Sequence, residues 1–136
     1  MNMEIKEIVS NWIKKAESDL KTAKDEIQTQ EPCTDTICFH AQQCAEKYLK
    51  AFLTYHQKRF RKTHNIAELI ELCKEIDNKF DELYETKAES LTVYATELRY
   101  PDDFYTPSLE EAKETIEIAE KVKSFVIQKL KKEGDC

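Results

Sequence analysis

The chain has 136 residues, a net charge of −6 and 35% charged residues. One glycine and three prolines are too few for a β-sandwich, a β-barrel or a doubly wound sheet, and they exclude a glycine-rich phosphate loop. An acidic molecule does not attract nucleic acid or anionic lipid as a whole, so an anion site must be a local basic patch. We therefore expect one all-α domain over residues 1–136.

The first two predicted helices are long and amphipathic. Apolar residues recur at steps of three and four through residues 4–28, which predicts the first helix. The second is expected over residues 35–57, with Thr34 or Asp35 as its cap. Its apolar positions are Ile37, Cys38, Ala41, Cys44, Ala45, Tyr48, Leu49, Phe52 and Leu53. So wide an arc is typical of a central helix that packs on several neighbours.

A basic connector, residues 58–64, leads into the third predicted helix. That helix is expected over residues 65–84, where apolar residues again follow the helical period. Thr63 or Asn65 is its expected cap, because a side-chain oxygen there can accept a first-turn N–H.

Two more helices complete the expected bundle. The fourth is expected over residues 87–99, and it ends before Pro101 because proline disfavours helical dihedrals in the preceding residue. Ser108 caps the fifth, whose acidic first turn and lysine-rich last turn suit the helix dipole. Residues 133–136 are expected to be disordered.

The chain is expected to be cytoplasmic, with no signal peptide. No stretch of 18 residues lacks charge, so no membrane span is expected. The cysteines are odd in number and mostly at core-like positions, which suits buried thiols without a structural disulfide. They are Cys33, Cys38, Cys44, Cys73 and Cys136.

Two polar residues fall on apolar helix faces. Asp19 projects between Ile8 and Trp12 on the helical wheel of the first helix, and Gln42 projects with the apolar arc of the second. Buried polar groups need hydrogen-bond partners. A structural network is the favoured interpretation of both residues, and a lined pocket is the alternative.

Two groups of cations are candidates for an anion site. Lys47 and Lys50 share the side of the second helix opposite its apolar arc, where an exposed stripe would offer donors to an anion. The connector holds Lys58, Arg59, Arg61 and Lys62. A solvated surface is the commoner explanation of such charges, and phosphate binding is the alternative.

Metal and thiol chemistry are not expected. His40 and Cys44 lie one helical turn apart, but zinc needs three or four ligands and no further pair completes the set. Cysteines inside helices are generally inert, which also argues against a Cys–His nucleophile. We expect no catalytic residue, no metal and no cofactor.

The segment 99–105 is the strongest candidate site, reading Arg-Tyr-Pro-Asp-Asp-Phe-Tyr. Arg99 can contact a phosphate, and Tyr100 and Tyr105 can stack on bases, with Lys47 or Lys50 as a second cation. The alternative is an arginine that only pairs with the last carbonyls of its helix.

Several motifs together resemble the HEPN domain family, named for higher eukaryotes and prokaryotes nucleotide-binding. They are Trp12, Ala16 and Asp19-Leu20; the run 38–51, Cys-Phe-His-Ala-Gln-Gln-Cys-Ala-Glu-Lys-Tyr-Leu-Lys-Ala; Thr63-His64-Asn65-Ile66; Tyr94; and Arg99-Tyr100-Pro101. The resemblance implies an up-and-down four-helix bundle with an additional short helix, commonly a homodimer. It also implies a nucleotidyltransferase partner in a system of toxin–antitoxin type.

A large branch of this family cleaves RNA with an arginine that is followed, after four to six residues, by a histidine. Arg99 matches the arginine, but Phe104 stands where the histidine would be. Arg59 and His64 match the spacing by coincidence, since they lie before the third helix. The loop lacks a group that exchanges protons near neutral pH, so we expect nucleotide or RNA binding without catalysis.

Two alternatives stay open from the sequence. The first is a metal-independent ribonuclease in which Arg99 stabilises the phosphate and His64 or Tyr105 replaces the missing histidine. The second is a helical interaction module without a ligand.

Overall fold

The computed structural model describes residues 2–95 and 105–133, and within them it is built from helices alone. The α-helices are α1 (Met3–Glu26), α2 (Thr34–Tyr55), α3 (Ile66–Ile76) and α4 (Leu109–Lys132). A first 3₁₀ segment, Asn78–Thr86, and a second, Ala88–Ala95, follow α3. The all-α class is therefore confirmed.

The centre of the bundle is α2. Its predicted apolar arc is buried, and Tyr48, Leu49, Phe52 and Leu53 have no exposed surface. Both α1 and α4 pack chiefly on α2 rather than on each other. This arrangement confirms α2 as the central helix. It also leaves a seam, the line along which α1 and α4 lie side by side with few contacts.

The helix caps agree only in part with expectation. Asn65 accepts the Glu68 N–H and Ser108 accepts the Glu111 N–H, as predicted for α3 and α4. The predicted cap of α2 is wrong, because Cys33 holds the capping position and makes no side-chain cap. The Thr34 hydroxyl instead donates to the carbonyl of Pro107 at 2.7 Å, which ties the start of α2 to the loop before α4.

The third predicted helix, 65–84, is wrong at its C-terminal end. Helix α3 ends at Ile76, and Asp77 is extended with φ −143°. The Asp77 side chain accepts the Lys79 N–H and so caps the first 3₁₀ segment, a local bond that competes with helix continuation. Phe80 and Leu83 still reach the core.

The fourth predicted helix, 87–99, is a 3₁₀ segment where it is described. Lys87 has φ 64° and separates the two 3₁₀ segments. Leu91, Tyr94 and Ala95 face inward as expected. Residues 96–99 of the predicted helix lie outside the described residues.

Glu133, expected in a disordered tail, is part of the bundle. Its carbonyl accepts a hydrogen bond from the Tyr55 hydroxyl at 3.2 Å, and its carboxylate lies 2.9 Å from His56 Nε2. These contacts fix the end of α4 against the end of α2. Residues 134–136 lie outside the described part of the chain.

The described cysteines carry free thiols. Cys38, Cys44 and Cys73 are buried, whereas Cys33 is exposed. Burial raises the pKa of the Cys38 thiol to about 11 and also raises the pKa of Cys44 and Cys73. These three thiols are therefore protonated at neutral pH.

A search of the described helices for a long apolar stretch finds none able to cross a membrane.

Candidate functional site

Asp19 of α1 accepts two hydrogen bonds from α2. Its Oδ1 lies 2.7 Å from His40 Nδ1, and its Oδ2 lies 2.6 Å from Lys47 Nζ. The side chain is only 10% exposed, so these partners replace the lost water. The carboxylate on the apolar face of α1 is thus paired across the α1–α2 contact.

Glu46 of α2 is the centre of a second buried network. Its carboxylate accepts from Lys50 Nζ at 2.9 Å and from Gln42 Nε2 at 3.0 Å, and it lies 2.8 Å from His64 Nδ1. Burial alone raises the pKa of Glu46, but the hydrogen bonds from Lys50, Gln42 and His64 outweigh it and leave the pKa lowered. The group is therefore held as a carboxylate.

Gln42 connects this network to the connector. Its amide also donates to the carbonyl of His64 at 3.2 Å, and its oxygen accepts from Gln43 at 2.6 Å. The side chain is fully buried. Glu46 could not be singled out from the sequence, because its four-residue spacing to Lys50 is also typical of an exposed ion pair.

The expected exposed lysine stripe of α2 is wrong for Lys50. Its side chain is 9% exposed and its Nζ lies 5.5 Å from the Trp12 ring centroid and 5.7 Å from that of Phe60. The Lys47 side chain is 20% exposed. Helix α1 and the connector cover this side of α2, and the carboxylates of α1 and α2 neutralise the lysines.

The connector cations are partly neutralised as well. Lys58 pairs with Glu75 at 2.6 Å, and Arg61 donates two bonds to Glu68, at 2.8 and 2.6 Å. Arg59 and Lys62 are exposed and have no ion pair within the described ranges. Only part of the connector is therefore free to meet an anion.

The described residues on either side of the 96–104 segment meet at Glu111, in the first turn of α4. Tyr94, in the second 3₁₀ segment, donates to one carboxylate oxygen, and Tyr105 donates to the other. Tyr94 is buried, whereas Tyr105 is 52% exposed. The sequence marked Glu111 only as a helix-dipole partner, so this role was missed.

The same contacts change the acidity of both phenols. Burial and the Glu111 carboxylate raise the pKa of Tyr94, and the hydrogen bond to Glu111 raises the pKa of Tyr105. Both are protonated donors at neutral pH. The predicted site residues Arg99 and Tyr100, and Phe104 with them, lie outside the described residues.

Over the described ranges, no group of three or more His, Cys, Asp or Glu side chains is arranged to hold a metal ion. Cys44 is fully buried, while His40 is hydrogen-bonded to Asp19. The two therefore do not act together on one ligand.

Comparison with known proteins decides the family. A family model described as the HEPN domain matches residues 9–131. The chain belongs to the HEPN domain family. The crystal structure of an archaeal HEPN homologue superposes with a TM-score of 0.70 at 29% sequence identity, covering 90% of this chain and 97% of the homologue. Among curated proteins, no significant match is found.

The HEPN match confirms the resemblance inferred from the motifs. It also agrees with the all-α helical bundle.

Proposed function

We propose that this HEPN protein binds a nucleotide or RNA without cleaving it and acts with a nucleotidyltransferase partner in a toxin–antitoxin-type system of the cytoplasm. The observation that carries the proposal is Phe104, which replaces the histidine of the family's RNA-cleaving motif. A phenyl ring can stack on a base but cannot transfer a proton.

The contacts at Glu111 support a binding role for the Arg99 segment. One carboxylate holds both Tyr94 and Tyr105, so the flanks of the segment are fixed to the start of α4. The half-exposed ring of Tyr105 provides a stacking surface for a base. Arg99 would then supply the phosphate contact between two anchored positions.

The other predicted site residues contribute unequally. His64 has a side chain that is 57% exposed and is able to meet a ligand. Lys47 and Lys50 would first have to leave Asp19 and Glu46. Binding therefore depends chiefly on Arg99, and the net charge of −6 makes it weak and salt-sensitive.

The binding test compares two arginines. Fluorescence anisotropy with a labelled single-stranded RNA is measured for the wild type, Arg99→Ala and Arg59→Ala. We expect Arg99→Ala to weaken binding about tenfold, the loss of one charge-assisted contact, and Arg59→Ala to change it little. An equal loss in both variants contradicts a specific Arg99 site, and no binding by the wild type favours the ligand-free interaction module.

A ribonuclease remains the second candidate because of His64. Its Nδ1 faces the buried Glu46 carboxylate at 2.8 Å while over half of the side chain is exposed. A carboxylate at one nitrogen orients an imidazole for proton transfer at the other. RNA cleavage that is lost in both Arg99→Ala and His64→Ala would favour this candidate.

The proposed nucleotidyltransferase partner is tested by reading the neighbouring gene and by co-expression. A nucleotidyltransferase reading frame beside this one, and a complex of the two proteins after co-expression and size-exclusion chromatography, would support it. Two separate peaks at micromolar concentration would contradict it.

A further inference from the structure

Helices α1 and α4 leave an open cleft where α1 ends and α4 begins. The cleft has a volume of about 500 Å³, within the range of roughly 300–1,000 Å³ that small-ligand sites occupy. It exists because both helices rest on α2, while the chain turns away after Glu26 through hydrogen bonds from Gln28 and Thr29. The cleft is distinct from the networks around Asp19 and Glu46.

One wall of the cleft is apolar. Ile27 contributes from the end of α1, and Leu109 and Ile116 contribute from α4. Leu109 is 44% exposed, so its side chain is accessible to a ligand in the cleft. An apolar wall of this kind suits the flat face of a ring.

The rim of the cleft is polar and includes two lysines. Lys24 pairs with Glu120 at 3.0 Å, but both side chains are about half exposed, at 53% and 45%. An ion pair so exposed is easily exchanged for a ligand. Lys113 is exposed and has no ion pair among residues 2–95 and 105–133.

A second, smaller cleft continues along the same seam. It has a volume of about 280 Å³ and shares Lys24 with the first. Lys21 and Lys123 also line it, each paired with a carboxylate, Asp25 and Glu17 respectively. The seam is therefore apolar at one end and rich in lysine at the other.

We propose that this seam binds a nucleoside monophosphate, with the base on the apolar wall and the phosphate at Lys24 and Lys113. The Gln28 amide and the Glu117 carboxylate line the same cleft and offer a donor and acceptors to the edge of a base. An aliphatic carboxylate has no base edge, so it would make no hydrogen bond to the Gln28 amide or the Glu117 carboxylate. The inference rests on the proposed nucleotide-binding function. It places a nucleotide at a site that does not include Arg99.

The ligand is tested with four probes in an NMR titration of the ¹⁵N-labelled full chain. AMP is expected to shift the amide signals of the seam, including those of Ile27 and Leu109. Adenosine and inorganic phosphate, which each lack one half of the ligand, should bind at least about tenfold more weakly. Octanoate binding as tightly as AMP, or an absence of seam shifts with AMP, would overturn the proposal.

Matched charge reversals test the residues. Lys113→Glu should weaken AMP binding about tenfold, because it removes a cation from the phosphate position and adds a repelling charge. Lys121→Glu makes the same change at an exposed position two turns further along α4, outside both clefts, and should leave the affinity unchanged. Equal effects of the two variants would show general electrostatics and overturn the site.

Experiment can distinguish failure of the seam site from failure of the Arg99 site. RNA binding that depends on Arg99, with no seam shift from AMP, would overturn the seam site and leave the proposed function standing. Seam shifts from AMP that depend on Lys113, without RNA binding, would support the seam site and count against the Arg99 site.

Discussion

Two buried carboxylates, Asp19 and Glu46, are each the centre of a hydrogen-bonded network inside this bundle. Each accepts hydrogen bonds from a lysine of α2 and from a histidine. Removal of either carboxylate would leave a lysine without its ion partner in a poorly solvated place. Their replacement is therefore the sharpest residue-scale test of the fold.

Glu46→Gln should lower the free energy of unfolding by about 3 kcal/mol, because the buried Lys50 loses its counter-charge. Urea denaturation at neutral pH measures the change. Glu68→Gln is the control, since it removes a carboxylate from the exposed pair with Arg61 and should cost much less. Equal losses in the two variants would contradict the buried network.

The stability that Glu46 provides should depend on pH. Its pKa is lowered in the folded protein, so its contribution is fully present above the pKa of the unfolded chain. The contribution is lost as pH falls through the folded pKa. The difference in stability between wild type and Glu46→Gln should therefore shrink in acid, and a difference that grows there would contradict the lowered pKa.

Asp19→Ala should lower the melting temperature more than it changes ligand affinity. His40 and Lys47 would lose their acceptor, at a cost of about 1–3 kcal/mol. Differential scanning fluorimetry measures the melting temperature, and the RNA-binding assay measures the affinity. The reverse pattern would place Asp19 in the binding site rather than in the fold.

Sequence alone predicted partners for Asp19 and Gln42 because a polar residue on an apolar face has to be satisfied. It did not predict the burial of Lys50. That burial depends on which distant segments cover the polar side of α2, here Trp12 of α1 and Phe60 of the connector. A helical wheel contains no information on such cover.

At the scale of elements, α2 should dominate stability. Leu49→Ala should cost about 2–5 kcal/mol, because Leu49 is fully buried in the central helix. Val93→Ala is the control, because Val93 is 43% exposed and should cost far less. Chemical denaturation compares the two, and equal costs would contradict the central placement of α2.

The helices themselves were predictable, but the break after α3 was not. A spacing of three residues suits both an α-helix and a 3₁₀ helix, so Phe80 and Leu83 fitted either. The Asp77 side chain determines where α3 ends, because it caps the first 3₁₀ segment. Similarly, the residue type of Thr34 suits a helix cap, but its hydroxyl donates to the carbonyl of Pro107, which is 73 residues away in the chain.

At the scale of the whole molecule, the N-terminal half of α1 exposes apolar side chains. Met3 is 82% exposed and Ile8 42% exposed. We propose that a second copy covers them, and light scattering should then give about twice the 16.0 kDa of one chain. Ile8→Asp should dissociate the dimer, whereas Val93→Asp, at a 43% exposed position, should not. A monomer at micromolar concentration would contradict the proposal.

From the sequence, the candidate site could be predicted only as the segment 99–105, without the contacts of its neighbours. Residue types identified Arg99 and its aromatic neighbours, whereas the meeting of Tyr94 and Tyr105 at Glu111 needs the packing of two elements. The α1–α4 cleft is likewise a product of packing, since Ile27 and Leu109 lie far apart in the chain.

The most direct test of the account is the fate of RNA in the presence of the protein. A labelled single-stranded RNA is incubated for hours with wild type, Arg99→Ala and Phe104→His, and its length is read on a denaturing gel. We expect intact RNA with the wild type and with Arg99→Ala. Cleavage is expected only with Phe104→His, which restores the histidine at the spacing from Arg99 that the family motif has. RNA cleavage by the wild type that disappears in Arg99→Ala would contradict the account.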